Sequence, residues 1–103
     1  MSIGSTTTRF PALHQFLSCY FNQDWDLKFA SPQEVLENFF EDSSKGEMHA
    51  VLKDLERFLS LNLGSESLRK ALMDLGFFYT PETDGITSIQ WLSNLLSIIK
   101  RHL

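Results

Sequence analysis

Apolar residues recur at helical spacing along most of the chain. Leu13, Phe16, Leu17 and Tyr20 fall at i, i+3, i+4 and i+7, one stripe of a first helix in "FPALHQFLSCYF", with Pro11 suited to its first turn. "SPQEVLENFFEDS" opens a second helix: Ser31 is the N-cap, Pro32 follows, and Glu34 at N3 completes a capping box. Its inward face is Val35, Leu36, Phe39 and Phe40. Met48, Val51, Leu52, Leu55, Phe58 and Leu59 mark a third helix. Ser65 is expected to cap a fourth, with Leu68, Ala71, Leu72 and Leu75 on one face and Gly76 at its C′ position. Thr87, with Gln90 three residues on, caps a fifth. That last helix carries Ile89, Leu92, Leu96 and Ile99 on one face and Trp91, Leu95 and Ile98 on a second flank. So wide an arc predicts a central helix, although the second flank also suits a dimer seam.

No segment shows strand alternation. The expected fold is all-α, a single compact bundle of about five helices over residues 10–103, after a small, polar, flexible N-terminal stretch 1–9. At 103 residues there is material for one core and little for a deep catalytic cleft. Two segments are irregular. "YFNQDWDLKF" fits neither period and reads as a loop crowded with aromatics and carboxylates. "FFYTPETDGI" carries turn signals at Thr80-Pro81 and Asp84-Gly85.

Charge changes the picture in one region. Residues 22–56 hold nine acids against three bases, a local −6 within a chain of net charge −4. Glu34, Glu37 and Glu41 follow one another at three- and four-residue steps, a carboxylate ridge extended by Asp42, with no base in the same helix. Like charges at that spacing oppose the helix. Such a face repels phosphate backbones, which argues against direct nucleic-acid binding, and it attracts basic proteins. A solvated surface is the plainer reading.

Candidate chemistry is sparse. His14, His49 and His102 have no partners at metal-ligand spacing, and no phosphate loop or nucleophile elbow is present, so neither metal nor cofactor is expected. Cys19, the only cysteine, ends an apolar helix and is expected to be buried and inert. Asp24 and Asp26 flank Trp25, but two carboxylates without a pocket are weak grounds for acid–base catalysis. No run of apolar residues is long enough to span a membrane, and the first ten residues lack the features of a secretory signal. The chain reads as a cytoplasmic, non-enzymatic binding protein.

An ordered series of residues narrows this further: Tyr20, Phe21, Gln23, Asp24, Trp25, Ser31, Glu34 and Val35, then Leu75, Gly76, Tyr79, Pro81, Asp84, Gly85, Trp91 and Leu92. The series resembles the helical CdiI family of contact-dependent growth inhibition immunity proteins. That resemblance implies an antitoxin that binds the C-terminal toxin domain of a cognate CdiA effector, in many cases an RNase or other nuclease, and blocks its active site. Residues shared across such a family, facing different toxins, belong to the scaffold: Tyr20, Asp24, Trp25, Gly76, Tyr79 and Trp91. Trp25 is expected to cover the gap between the first helices, and Asp24 to cap a turn. The toxin-facing set is then expected among Asp26, Glu34, Glu37, Glu41 and Asp42, with Glu34 ambiguous because its cap engages it. A helical adaptor without a toxin is the alternative that composition alone leaves open.

Overall fold

The computed structural model describes residues 9–103, so the expected flexible stretch 1–9 lies, Arg9 apart, outside the described residues. Six α-helices follow in order: α1 Pro11–Tyr20, α2 Trp25–Lys28, α3 Pro32–Asp42, α4 Lys45–Leu59, α5 Ser65–Asp74 and α6 Ser88–His102, with a 3₁₀ turn at Pro81–Asp84 before the last. There is no strand among the described residues. α4 is the central helix, packing against α1 and against α6. This corrects the expectation that the last helix is central. α4 buries residues round a wide arc, Met48, Val51, Leu52, Leu55 and Phe58, whereas Ile89 of α6 is 42% exposed. The buried face of α6 is Trp91, Leu92, Leu95 and Ile99; Leu96 and Ile98 are only half-buried. Trp91 and Leu95 are therefore core rather than a dimer seam.

Each helix end shows how its local sequence was used. Ser44 caps α4 in a reciprocal box with Glu47, and Thr87 does the same for α6 with Gln90. Glu82 adds a second cap to α6, accepting from the Ser88 backbone N–H at 2.9 Å and from its hydroxyl at 3.0 Å. α5 differs from expectation: Gly64 is its N-cap and Ser65 its first helical residue. The extended Gly64 backbone accepts from Leu68 N–H at 2.7 Å without help from a side chain.

α1 has no local cap. Phe10 occupies the N-cap position and has no side-chain oxygen to offer. The N–H groups of Ala12 and Leu13, which have no partner within the helix, instead donate to Oδ2 of Asp54, on α4, at 2.8 and 3.2 Å. Asp54 is the one buried charged residue among the described residues, and its other oxygen accepts from Arg57 Nη1 at 3.2 Å. Arg57 also donates to the Arg9 carbonyl at 3.1 Å and lies over the Phe10 ring, which meets Phe58 edge-on. One carboxylate thus caps α1 and docks it on α4 at once.

The other end of α1 meets α5. Gly76, at φ +84°, closes a Schellman motif: its N–H donates to Met73 O and that of Phe77 to Leu72 O, both at 3.0 Å. A Cβ on Gly76 would lie 2.8 Å from Cβ of Ser18, so α1 also requires a glycine there. The chain then crosses the end of α1, where Phe78 N–H donates to Phe21 O at 2.8 Å.

Replacing Asp54 by Ala is expected to lower unfolding free energy by about 2 kcal/mol in urea, by stranding two backbone donors and a guanidinium. Gly76→Ala combines the strained φ with the Ser18 contact and is expected to lose about 2 kcal/mol as well. A Gly76→Ala protein as stable as wild type would show that α1 and the α5–α6 loop do not need this close approach.

Candidate functional site

The irregular "YFNQDWDLKF" segment is not wholly loop. Residues Trp25–Lys28 form a single helical turn, α2, with Asp24 at its N-cap. The Asp24 side chain makes no cap hydrogen bond. The turn is held instead by Asn22, whose Oδ1 accepts from the Asp24 N–H at 3.0 Å. Asp24 and Asp26 are both exposed.

Trp25 does not cover a gap between the first helices. Its half-buried ring packs on Phe21 at 5.9 Å and edge-on against Tyr79 at 5.3 Å. These belong to a cluster of Phe21, Phe77, Tyr79 and Trp91 that joins the end of α1 to the distal loop and α6. The Tyr79 hydroxyl donates to Asp84 across the 3₁₀ turn. Burial, and then the bond to Asp84, push the Tyr79 phenol well above the ordinary tyrosine range. Tyr20 is half-buried against Phe16 and Phe39. Burial, and secondarily the Asp42 carboxylate, raise its pKa. Cys19, contrary to expectation, is exposed. It lies off the Leu13–Phe16–Leu17 stripe, beside a shallow cavity of about 280 Å³ between α1, α3 and α4.

The carboxylate ridge of α3 divides into two parts. Ser31 Oγ accepts from Glu34 N–H at 3.2 Å, as the cap predicts. The Glu34 carboxylate reaches one residue further back than a capping box requires, accepting from Ala30 N–H at 3.2 Å. Glu34 is half-buried and engaged at the helix start. Glu37, Glu41 and Asp42 are exposed. The ion pairs among the described residues join Arg57 to Asp54, Arg69 to Glu82 and Lys100 to Glu56, and none involves these three acids. Glu41 and Asp42 stand in the last turn of α3, where the helix dipole favours cations, and no base is present there. No ion pair among the described residues offsets this placement.

Beside the ridge a groove of about 520 Å³ runs between α3 and α6. Leu36, Phe40 and Ile98 form its apolar surface, Glu37 and Glu41 its polar edge, and Gln33 and His102 complete it. The His102 ring stacks on Phe40, with centroids 3.8 Å apart and planes 14° apart, holding the end of α6 on α3. The pairing of the ridge with a groove was not legible from α3 alone, because α6 supplies the other wall. A second exposed apolar surface carries Met73, Phe78 and Ile89 near the Arg69–Glu82 pair. Among the described residues no three His, Cys, Asp or Glu side chains converge on a metal position, and no helix is long and apolar enough to cross a membrane.

A family model described as "CdiI immunity protein" matches residues 9–99. The chain belongs to the CdiI immunity protein family. The same helical arrangement is present in a chain of the crystal structure of the CdiA-CT/CdiI complex from Y. kristensenii 33638, with a TM-score of 0.83 and 24% identity over 91% of this chain and 96% of that one. At that identity the likeness speaks for the fold. No curated protein matches. The family match spans both halves of the motif series from Tyr20 to Leu92 of this CdiI chain.

If the ridge is not kept for stability, reversing its charge should help the fold. Asp42→Lys is expected to raise stability by a few tenths of a kcal/mol at low salt, and less at high salt. Loss of stability in that variant, measured by urea titration, would mean that Asp42 serves the fold.

Proposed function

We propose that this chain is an immunity protein that binds the C-terminal toxin domain of a contact-dependent growth inhibition effector, a CdiA-CT domain, and blocks it in the cytoplasm. The observation that carries this reading is the family match over residues 9–99. The shared fold with a chain of a CdiA-CT/CdiI complex supports it. The exposed acids Glu37, Glu41 and Asp42, with Asp26 on α2, are the surface offered to the toxin. They suit a nuclease, whose active site is basic because it must hold phosphate. An acidic surface docked there occupies the same field and keeps the substrate out. Glu34 contributes chiefly through the start of α3. Tyr20, Asp24, Trp25, Gly76, Tyr79 and Trp91 act as scaffold. For Trp25, Gly76, Tyr79 and Trp91 this reading is supported by the aromatic cluster and the Schellman turn they build.

The test is co-expression in a bacterial host. The toxin domain recovered with this chain as bait is induced alone or together with it. Growth is expected to stop in the first case and to continue in the second, with a stable complex on size exclusion and RNA or DNA left intact. Continued killing at matched expression, with no complex, would overturn the immunity reading. Rescue with nucleic acid untouched in both cultures would retain immunity and reject the nuclease.

A further inference from the structure

The groove between α3 and α6 has a more specific use, which rests on the toxin-binding reading. We propose that it seats one lysine or arginine side chain of the toxin, with the alkyl stem along Leu36, Phe40 and Ile98 and the cationic head between Glu37 and Glu41.

Three features of the groove select that occupant. Its long wall is apolar, and Leu36 is 8% exposed while Phe40 and Ile98 are half-buried, so a stem laid there removes carbon surface from water on both sides. Its edge carries two carboxylates four residues apart on one helix, which places their Cβ atoms about 5–6 Å from each other. A cation set between them relieves their mutual repulsion and donates charge-assisted hydrogen bonds to both carboxylates. Neither carboxylate has an ion-pair partner among the described residues, so no internal bond must be broken first. Other occupants fit less well. A phosphate or an acidic chain meets like charge. A wholly apolar side chain would bring the two carboxylates out of water without a partner. The Met73–Phe78–Ile89 surface has no comparable charge to select a ligand.

The experiment uses the intact complex with the co-expressed toxin domain. Glu37→Gln with Glu41→Gln removes the rim charge at nearly constant shape. Glu66→Gln with Asp74→Asn, both exposed on α5, changes net charge by the same amount away from the groove. Ile98→Trp fills the groove and leaves the charge alone. Circular dichroism and thermal melts establish that each variant is folded. Binding is followed by interferometry at several salt concentrations. The groove pair is expected to raise Kd about tenfold or more, chiefly through faster dissociation, and to flatten its salt dependence. The α5 pair should change mainly the association rate, as lost steering does. Ile98→Trp should also speed dissociation. A groove pair that behaves as the α5 pair does, with Ile98→Trp binding as wild type, would overturn the seat while leaving the immunity reading standing. Wild-type protein that fails to bind the toxin domain would overturn both. A free chain that self-associates through the groove, and becomes monomeric in Ile98→Trp, would assign the groove to a second copy instead.

Discussion

The start of α1 is held on the central helix by a single carboxylate. Asp54 accepts two N–H groups from the start of a helix that has no cap of its own, and it does so from a buried site on the central helix. The arrangement of the far end follows from that anchor. With α1 fixed on α4, Ser18 meets Gly76, Phe21 receives the hydrogen bond of Phe78, and Phe21 enters the cluster with Trp25, Tyr79 and Trp91. The fold is thus tied at two ends of one short helix, by a polar bond at its start and by aromatic packing at its finish.

α3 has a different character. It is capped at Ser31 and inserts Val35, Leu36 and Phe39 into the core. Its outer surface is arranged against its own electrostatic interest, with three exposed acids toward a C-terminal end that carries no base. The rest of the molecule uses charge economically, since the buried Asp54 is bonded on both oxygens and Glu82 closes the start of α6. Partial burial works against the Glu82 carboxylate, yet the Ser88 bonds and Arg69 hold its pKa below the ordinary value. Stability from that cap is therefore present above the unfolded pKa and fades as pH falls through the lower folded one.

The helices were legible because their apolar stripes and caps agree. Ser31-Pro32 and Thr87 with Gln90 mark starts that the structure keeps, and Gly76 marks an end. What was not legible depends on neighbours distant in sequence. The pattern of α6 cannot show which of its apolar positions the neighbouring helices cover, and Ile89 is left 42% exposed while Trp91 is buried. The stripe of α1 places Cys19 to one side, and only the packing of α1 and α4 decides that this side is open. Asp54 stands between Val51, Leu55 and Phe58 on an otherwise apolar surface, a signal that a reading of charge by segment passes over. α2 is too short for any period to reveal. The acidic candidates were visible as a ridge, but the groove that gives the ridge a shape needs Ile98 and His102 from the other end of the chain.

The remote cap on α1 has a consequence for the order in which the chain acquires structure during synthesis. Ala12 and Asp54 are 42 residues apart. As the polypeptide leaves the ribosome, α1 emerges well before the carboxylate that completes it. A ten-residue helix without a local cap is marginal in water. The segment therefore waits, with Phe16 and Leu17 uncovered, until α4 has been made and folded against it. The earliest of the described helices is thus secured only after three later ones have been made, and the interval is one in which a nascent chain of this kind is most open to aggregation or proteolysis.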